Sequence, residues 1–288
     1  MKDEKMIERM KRKLMNIASV VTKKVSGEHV TGLMVKSKGL SFLVEPTDMF
    51  VGRQLRFNGS YGVAEMQKIR KLVNEKSTVA FIGTHVGALA IPTAKNVKKA
   101  YFIEANPITF EYLETNITLN SIKNVKAINC AVGEKEGEIN FVLSKTNSGG
   151  SKREPHAKKE MYYYDKPNTV RVPMQQFDAL TDGSDEKFDL VFMDIEGSEY
   201  FALKGMQNTL RRTENLVIEF ISHHLKNVAN ISVSEFVSVI EPYFQFLYVP
   251  ILEEYFQHAE FEKALTNMYN RGIDDDGIVF SKSKIDFS

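Results

Sequence analysis

From residue 78 onward, short apolar runs rich in β-branched and aromatic residues alternate with stretches whose apolar positions recur every three or four residues. Such a chain folds into a mainly parallel sheet with helices on both faces, because parallel strands need long crossovers to return to the same edge. Strands are expected at 78–82, 100–104, 126–132, 188–194, 215–221, 244–249 and 277–282. The expected fold class is therefore α/β, a doubly wound, mostly parallel sheet of seven strands. Helices at 107–119, 198–211 and 234–241 fill the gaps, and "GEKEGEINFVL" interrupts the alternation with a turn and an extra, antiparallel strand.

Residues 1–60 read as a separate lead-in to the domain at 61–288. Met6, Met10, Leu14, Ile17 and Val21 fall at helical spacing, which predicts a one-faced helix that docks on the body or on a second copy of the chain. "HVTGLMVKSKGLSFLVEP" then predicts two strands around a Lys-Ser-Lys-Gly turn, followed by the apolar "FVGRQLRF", so the front piece is expected to be β-rich. A helix over 63–73 follows, with Ala64, Ile69 and Leu72 inward. The stretch 144–168 has no clean periodicity and is long for a connection, which suggests a lid over a binding site.

Charge narrows the partners. Lys and Arg total 38 against 37 Asp and Glu, so no global field draws the chain to nucleic acid or to a membrane surface. Cys130 is the only cysteine, which rules out an internal disulfide and a zinc–thiolate cluster. The charge-dense start lacks a signal-peptide core, and the longest apolar stretch, 79–94, is broken by His85 and Pro92. A cytoplasmic chain without a membrane span is expected.

Two motifs carry chemistry. "FIGTHVG" places Gly83 and Gly87 between an apolar strand and a helix, where free N–H groups point at a bound ligand. The turn is GxxxG rather than GxGxxG, so a pyrophosphate is not the favoured guest. Glu104 ends the next strand, 17 residues beyond Gly87 (104 − 87), where an acid accepts the two hydroxyl protons of a ribose; its alternative is a helix-start acid. Further on, "FDLVFMDIEGSEY" delivers Asp194 to the carboxyl end of a strand, with Glu196 two residues later and Glu199 in the first turn of a helix capped by Ser198. Acids so close together repel one another unless a cation joins them. A sulfonium cofactor meets that need. A divalent metal is the competing cation, and no metal ligands are assigned. His223 and His224 follow the fifth strand, where Glu219 is either a site acid or a buried paired one.

These residues resemble the FkbM-type S-adenosylmethionine-dependent methyltransferases. The resemblance runs from about residue 40 to 221, through "LSFLVEPTDMFVGRQLRFNGSYGVAE", "FIGTHVG", "FIEANPITFEYLETNITLN", "AINCAVGEKEGEINF", "NSGGS" and "MDIEGSEYFALKGM". It implies a Rossmann-like methyltransferase fold, S-adenosyl-L-methionine as cofactor, and O-methylation of a glycan or related hydroxyl compound. It also implies a cofactor site made by Tyr61, Gly83, Thr84, His85, Gly87, Glu104, Ala105, Asn106, Ala131, Val132 and Asp194. Candidates for the base are Asp194, Glu196, Glu219 and His223.

One departure stands out: Phe81 replaces the family's Asp, while Thr84 and His85 replace Ala and Asn. Losing one carboxylate contact to the cofactor's ammonium is expected to cost about 1–3 kcal/mol, which weakens a site without abolishing it. In the lid, Lys152, Arg153, Lys158 and Lys159 read as a solvated charge run in preference to a contact for an anionic acceptor, and Tyr162, Tyr163 and Tyr164 as a stacking platform or as pins for the lid. A methyltransferase for nucleic acid or protein, and a non-catalytic scaffold that keeps the fold, are the alternative functions; a nucleic-acid partner is not favoured.

Overall fold

The computed structural model describes residues 10, 13–18, 21–22, 24–25, 27, 29–181 and 185–287. Its front hairpin is β1 (Leu33–Ser37) and β2 (Leu40–Val44). Lys38 and Gly39 both have positive φ in the turn between them, the geometry that two-residue hairpin loops need. Then come β3 (Thr78–Ile82), β4 (Lys99–Glu104), β5 (Val125–Asn129), β6 (Ala131–Val132), β7 (Gly137–Leu143), β8 (Lys152–Arg153) and β9 (Asn168–Gln175). The chain continues through β10 (Phe188–Met193), β11 (Thr213–Phe220), β12 (Phe246–Val249), β13 (Glu254–Gln257) and β14 (Asp275–Ser281).

Among the described residues the main sheet has eight strands, in the order β13-β12-β14-β11-β10-β3-β4-β5. Strands β3, β4, β5, β10 and β11 are parallel, whereas β14, β12 and β13 add antiparallel pairs at one edge. Chain order reverses between β3 and β10. Such a switch point opens a crevice at the carboxyl ends of the strands, because the two crossovers leave in opposite directions. Every residue of β3 is buried, as expected of a strand covered on both faces. Ala80, Ile82, Val191 and Met193 join one core; Val79, Phe81, Leu190 and Phe192 join the other.

Several expectations need correcting. The run 126–132 is two strands: β5 ends at Asn129, and β6 crosses to a second sheet of order β6-β9-β7-β8. The helix expected at 198–211 is interrupted between Glu199–Lys204 and Gln207–Arg211. There Gly205 packs so tightly that a β-carbon would lie 1.9 Å from the Gly133 carbonyl oxygen. "FVGRQLRF" holds a helix, Val51–Asn58, rather than more strand, with Val51 and Leu55 turned inward at i and i+4. Ala64, expected to face inward, is exposed, while Ile69 and Leu72 are buried.

Residues 13–18, 21–22 and 24–25 are helical, but Met10, Leu14, Ile17 and Val21 face solvent rather than the body; Met6 lies outside the described residues. Spacing decides which residues share a face, not what that face meets. The front hairpin is tied to the body by two amides of the helix Pro107–Leu119 and its cap. Asn116 bonds both backbone groups of Leu43, and Asn120 bonds both of Ser41. No helix among the described residues is long and apolar enough to cross a membrane.

Candidate active site

The crevice at the switch point is a cavity of about 1010 Å³. Its floor begins with the turn after β3. Gly83 has φ +85°, and a β-carbon there would stand 1.8 Å from the Asp194 carbonyl oxygen, so glycine is required by the approach of the β10 end. Gly87, at φ +86°, faces Ile91 and Leu113; it serves packing and does not line the cavity. Between them Thr84 donates to the Phe81 and Ile103 carbonyls, and His85 has φ +53°.

That left-handed turn aims the His85 N–H at Glu104 Oε2, 2.7 Å away, while the Asn106 N–H reaches Glu104 Oε1 at 2.8 Å. Each carboxylate oxygen is thus fixed by one backbone donor and keeps lone pairs for a ligand. Glu104 is 7% exposed, and burial raises its pKa to about 7 against the pull of the Asn106, His85 and Ala105 N–H groups. Asn106 itself caps the helix Pro107–Leu119 through its side chain and supports the site from behind instead of lining it. Ala105, Ala131 and Val132 form the wall beside Glu104.

Phe81 is 2% exposed. It lies in register with Phe102 on β4 and Phe192 on β10, 5.9 Å edge-on to the first ring and 5.4 Å stacked on the second. An aromatic row across three adjacent strands therefore fills the place of the absent acid. Tyr61, Glu65 and Asp276 line the cavity with it, and burial, with the neighbouring Asp194, Glu65, Asp276 and Asp48 charges, pushes the Tyr61 hydroxyl up.

Across the switch point, Asp194 follows β10 with its N–H bonded to Ile82. Glu196 and Gly197 make the next turn at positive φ, where a β-carbon on Gly197 would collide with Val228. Glu199 folds back to accept the Ile195 N–H at 3.0 Å; burial raises its pKa to about 7. Carboxylate oxygens of Asp194, Glu196 and Glu219 all lie within 4.8 Å of one another. Burial first, then the neighbouring acids, pushes Asp194 and Glu219 well above the usual carboxylate range.

The lid segment supplies residues that the sequence reading placed elsewhere. Lys152, expected in a solvated run, is 8% exposed on β8, with Nζ 2.6 Å from Glu196 Oε2. His224 joins the cluster, with Nδ1 2.9 Å from Glu219 Oε2 and Nε2 3.4 Å from Glu196 Oε2; burial and then Lys152 and His223 lower its pKa to about 2. His223, the histidine chosen from the sequence, instead holds the lid, with Nδ1 3.0 Å from the Tyr162 hydroxyl. Ser148 ties the lid at the other end: its hydroxyl donates to Asp48 Oδ2 at 2.8 Å and accepts from His85 Nε2 at 2.8 Å. Arg153 stacks on the Phe201 ring at 3.7 Å, and Cys130 is buried yet reaches the cavity wall. No motif announces Lys152 or Asp48. The β7–β8 pairing brings in Lys152, and the Ser148 hydroxyl meets Asp48.

The family model of the methyltransferase FkbM domain matches residues 82–268, well over half of the chain. The chain belongs to the FkbM methyltransferase family. The match begins just after Phe81 and runs past β11, so the lead-in at 40–60 lies outside it. A tRNA (guanine(37)-N(1))-methyltransferase of Pyrococcus abyssi is 25% identical over 104 residues, covering 36% of this chain and 29% of that protein. An uncharacterised protein of Methanocaldococcus jannaschii is 40% identical over 60 residues, 21% of this chain and 23% of that one. The chain thus spans under a third of the length of these curated relatives. Among solved structures, an FkbM methyltransferase of Methylobacillus flagellatus is 17% identical with a TM-score of 0.41, covering 73% of this chain and 44% of that chain.

Proposed function

We propose that this FkbM methyltransferase uses S-adenosyl-L-methionine to methylate a hydroxyl of a glycan or a related small molecule. The observation that carries the reading is one cavity with a fixed carboxylate, Glu104, on one side of the switch point and the Asp194, Glu196 and Glu219 carboxylates on the other. Glu104 accepts the ribose hydroxyls, with Ala105, Ala131 and Val132 beside the base. Gly83, Thr84 and Tyr61 border the amino-acid end, where Asp194 with Glu65 and Asp276 meets the ammonium that Phe81 cannot.

When bound, the cofactor supplies an electrophilic methyl group on a positively charged sulphur. The chain's contribution is alignment of the acceptor oxygen and removal of its proton. Asp194, Glu196 and Glu219 are the nearest acceptors for that proton, and burial, which holds Asp194 and Glu219 well above the usual carboxylate range, makes those two stronger bases than free carboxylates. His223 is engaged with Tyr162 and ranks behind them. A wall this acidic favours a neutral acceptor over a polyanion. The competing nucleic-acid reading rests on the local kinship to tRNA methyltransferases.

Calorimetry on the whole chain tests the cofactor: saturable binding of S-adenosylmethionine is expected, weakened about tenfold or more in Glu104→Ala. No binding at millimolar cofactor returns the chain to the scaffold reading. Transfer of labelled methyl to oligosaccharides, tRNA and protein then separates the acceptors, and label on tRNA alone overturns the hydroxyl-of-a-glycan reading.

A further inference from the structure

Lys152 is the feature that the proposed chemistry leaves unused. Its Nζ donates to Glu196 Oε2 at 2.6 Å, lies 3.5 Å from His224 Nε2, and stands 5.2 Å above the Tyr162 ring. An ammonium is rarely placed in such surroundings without a reason, since desolvation opposes it unless its partners are close. The partners here are more than sufficient: Glu196 accepts from it directly, oxygens of Asp194 and Glu219 lie within 4.8 Å of the Glu196 carboxylate, and His224 is held against Glu219. The acids come from β11 and the turn after β10 in the main sheet, whereas Lys152 comes from the lid and is positioned by pairing of β8 with Val142 of β7. A cation brought to acids by a separate element, and lining the same cavity, sets the charge of that wall.

We propose that Lys152 is the cation that sets the charge of the transfer site, lowering its preference for the sulfonium cofactor over the neutral sulphide product. The inference rests on the cofactor reading above and deepens it. As the acceptor oxygen bonds to the methyl carbon, the carbon–sulphur bond breaks with its electron pair left on sulphur, and the acceptor proton passes to a carboxylate of the cluster. Positive charge therefore leaves sulphur during the step. A fixed ammonium lining the cavity that would receive the sulfonium would oppose the starting state and be relieved in the transition state, which is differential stabilisation of the kind that raises turnover. Glu196, held by Lys152, stays oriented toward the same wall.

S-adenosylmethionine and S-adenosylhomocysteine differ at this position by one methyl group and one unit of charge, so their affinity ratio reads the local field without any acceptor. Calorimetry is done with both ligands on the full chain, its K152M, K152R and E196Q variants, and the K152M/E196Q double variant. K152M is expected to shift the ratio toward S-adenosylmethionine by about threefold or more, a modest share of the interaction of two unit charges at a partly buried site. K152R holds the wild-type ratio, and E196Q moves it the other way. If K152M weakens both ligands by one common factor, Lys152 is only a lid pin and the inference fails; a ratio unmoved in both E196Q and K152M overturns it equally. Where K152M alone fails to fold because Glu196 is left unpaired, the double variant compared with E196Q must show the same shift. A wild-type chain that binds neither ligand overturns the cofactor reading itself, an outcome distinct from the others.

Discussion

Phe81 shows how one position is decided by its neighbours in register. Its ring bridges Phe102 and Phe192, so the side chain is held by two strands as well as its own. Returning an acid here is expected to harm the fold before it helps the ligand. Phe81→Asp removes a buried aromatic side chain and leaves a desolvated carboxyl, for a loss of about 3 kcal/mol or more in urea denaturation. A loss below about 1 kcal/mol, with tighter S-adenosylmethionine binding, would mean that the aromatic row contributes little and that the acid is simply missing. The place of Glu104 at a strand end was readable in the sequence because the apolar run of β4 stops there, just before a proline-started helix. That its two oxygens are each fixed by a backbone N–H was not readable, since it depends on the left-handed φ of His85.

At the scale of elements, the parts with a strong local signal were legible and those made by long-range pairing were not. The helix Pro107–Leu119 matches its expected bounds because Asn106 caps it and Pro107 opens it. The second sheet escaped notice because β6 and β8 have two residues each and β9 contains Pro173, a residue that argues against a ladder position. The lid is not a featureless loop. Asp165 gathers the Ser144 hydroxyl and the Lys145 and Thr146 N–H groups, and Met49 donates to the Thr146 carbonyl. The Ser148–Asp48 and His85–Ser148 bonds then fasten this fold to the hairpin side of the cavity. Ser148→Ala removes a hydrogen bond to a charged group, and local opening of the lid should become about tenfold more frequent. Limited trypsin digestion reads this at the exposed Lys158 and Lys159, with the global melting temperature little changed. An unaltered cleavage rate would show that Asp165 and the β7–β8 pairing hold the lid without Ser148.

For the whole molecule, the accumulation of buried acids makes stability depend on pH in an uncommon direction. Glu104 and Glu199 have folded pKa values of about 7, raised by burial, and Asp194 and Glu219 are raised in the same sense. The native chain therefore binds these protons more tightly than the unfolded chain, and the stability they contribute is complete below the ordinary carboxylate range and lost as pH rises through about 7. Burial lowers His85, His223 and His224 instead, so their contribution is present above the ordinary histidine pKa of about 6.5 and lost as pH falls. Below that value the two groups oppose each other. Above it the histidines are neutral in both states, and only the carboxylates remain to set the slope. The ligand-free protein should lose melting temperature from about pH 6.5 to 7.5, where Glu104 and Glu199 give up their protons, each unmatched proton contributing up to about 1.4 kcal/mol per pH unit. On the proposed cofactor reading, S-adenosylmethionine would bring a sulfonium charge among the acids and should flatten that slope more than S-adenosylhomocysteine does. Melting curves that rise with pH across this window would mean that the acids ionise freely in the native chain, and that the cavity wall is wetter than its packing implies.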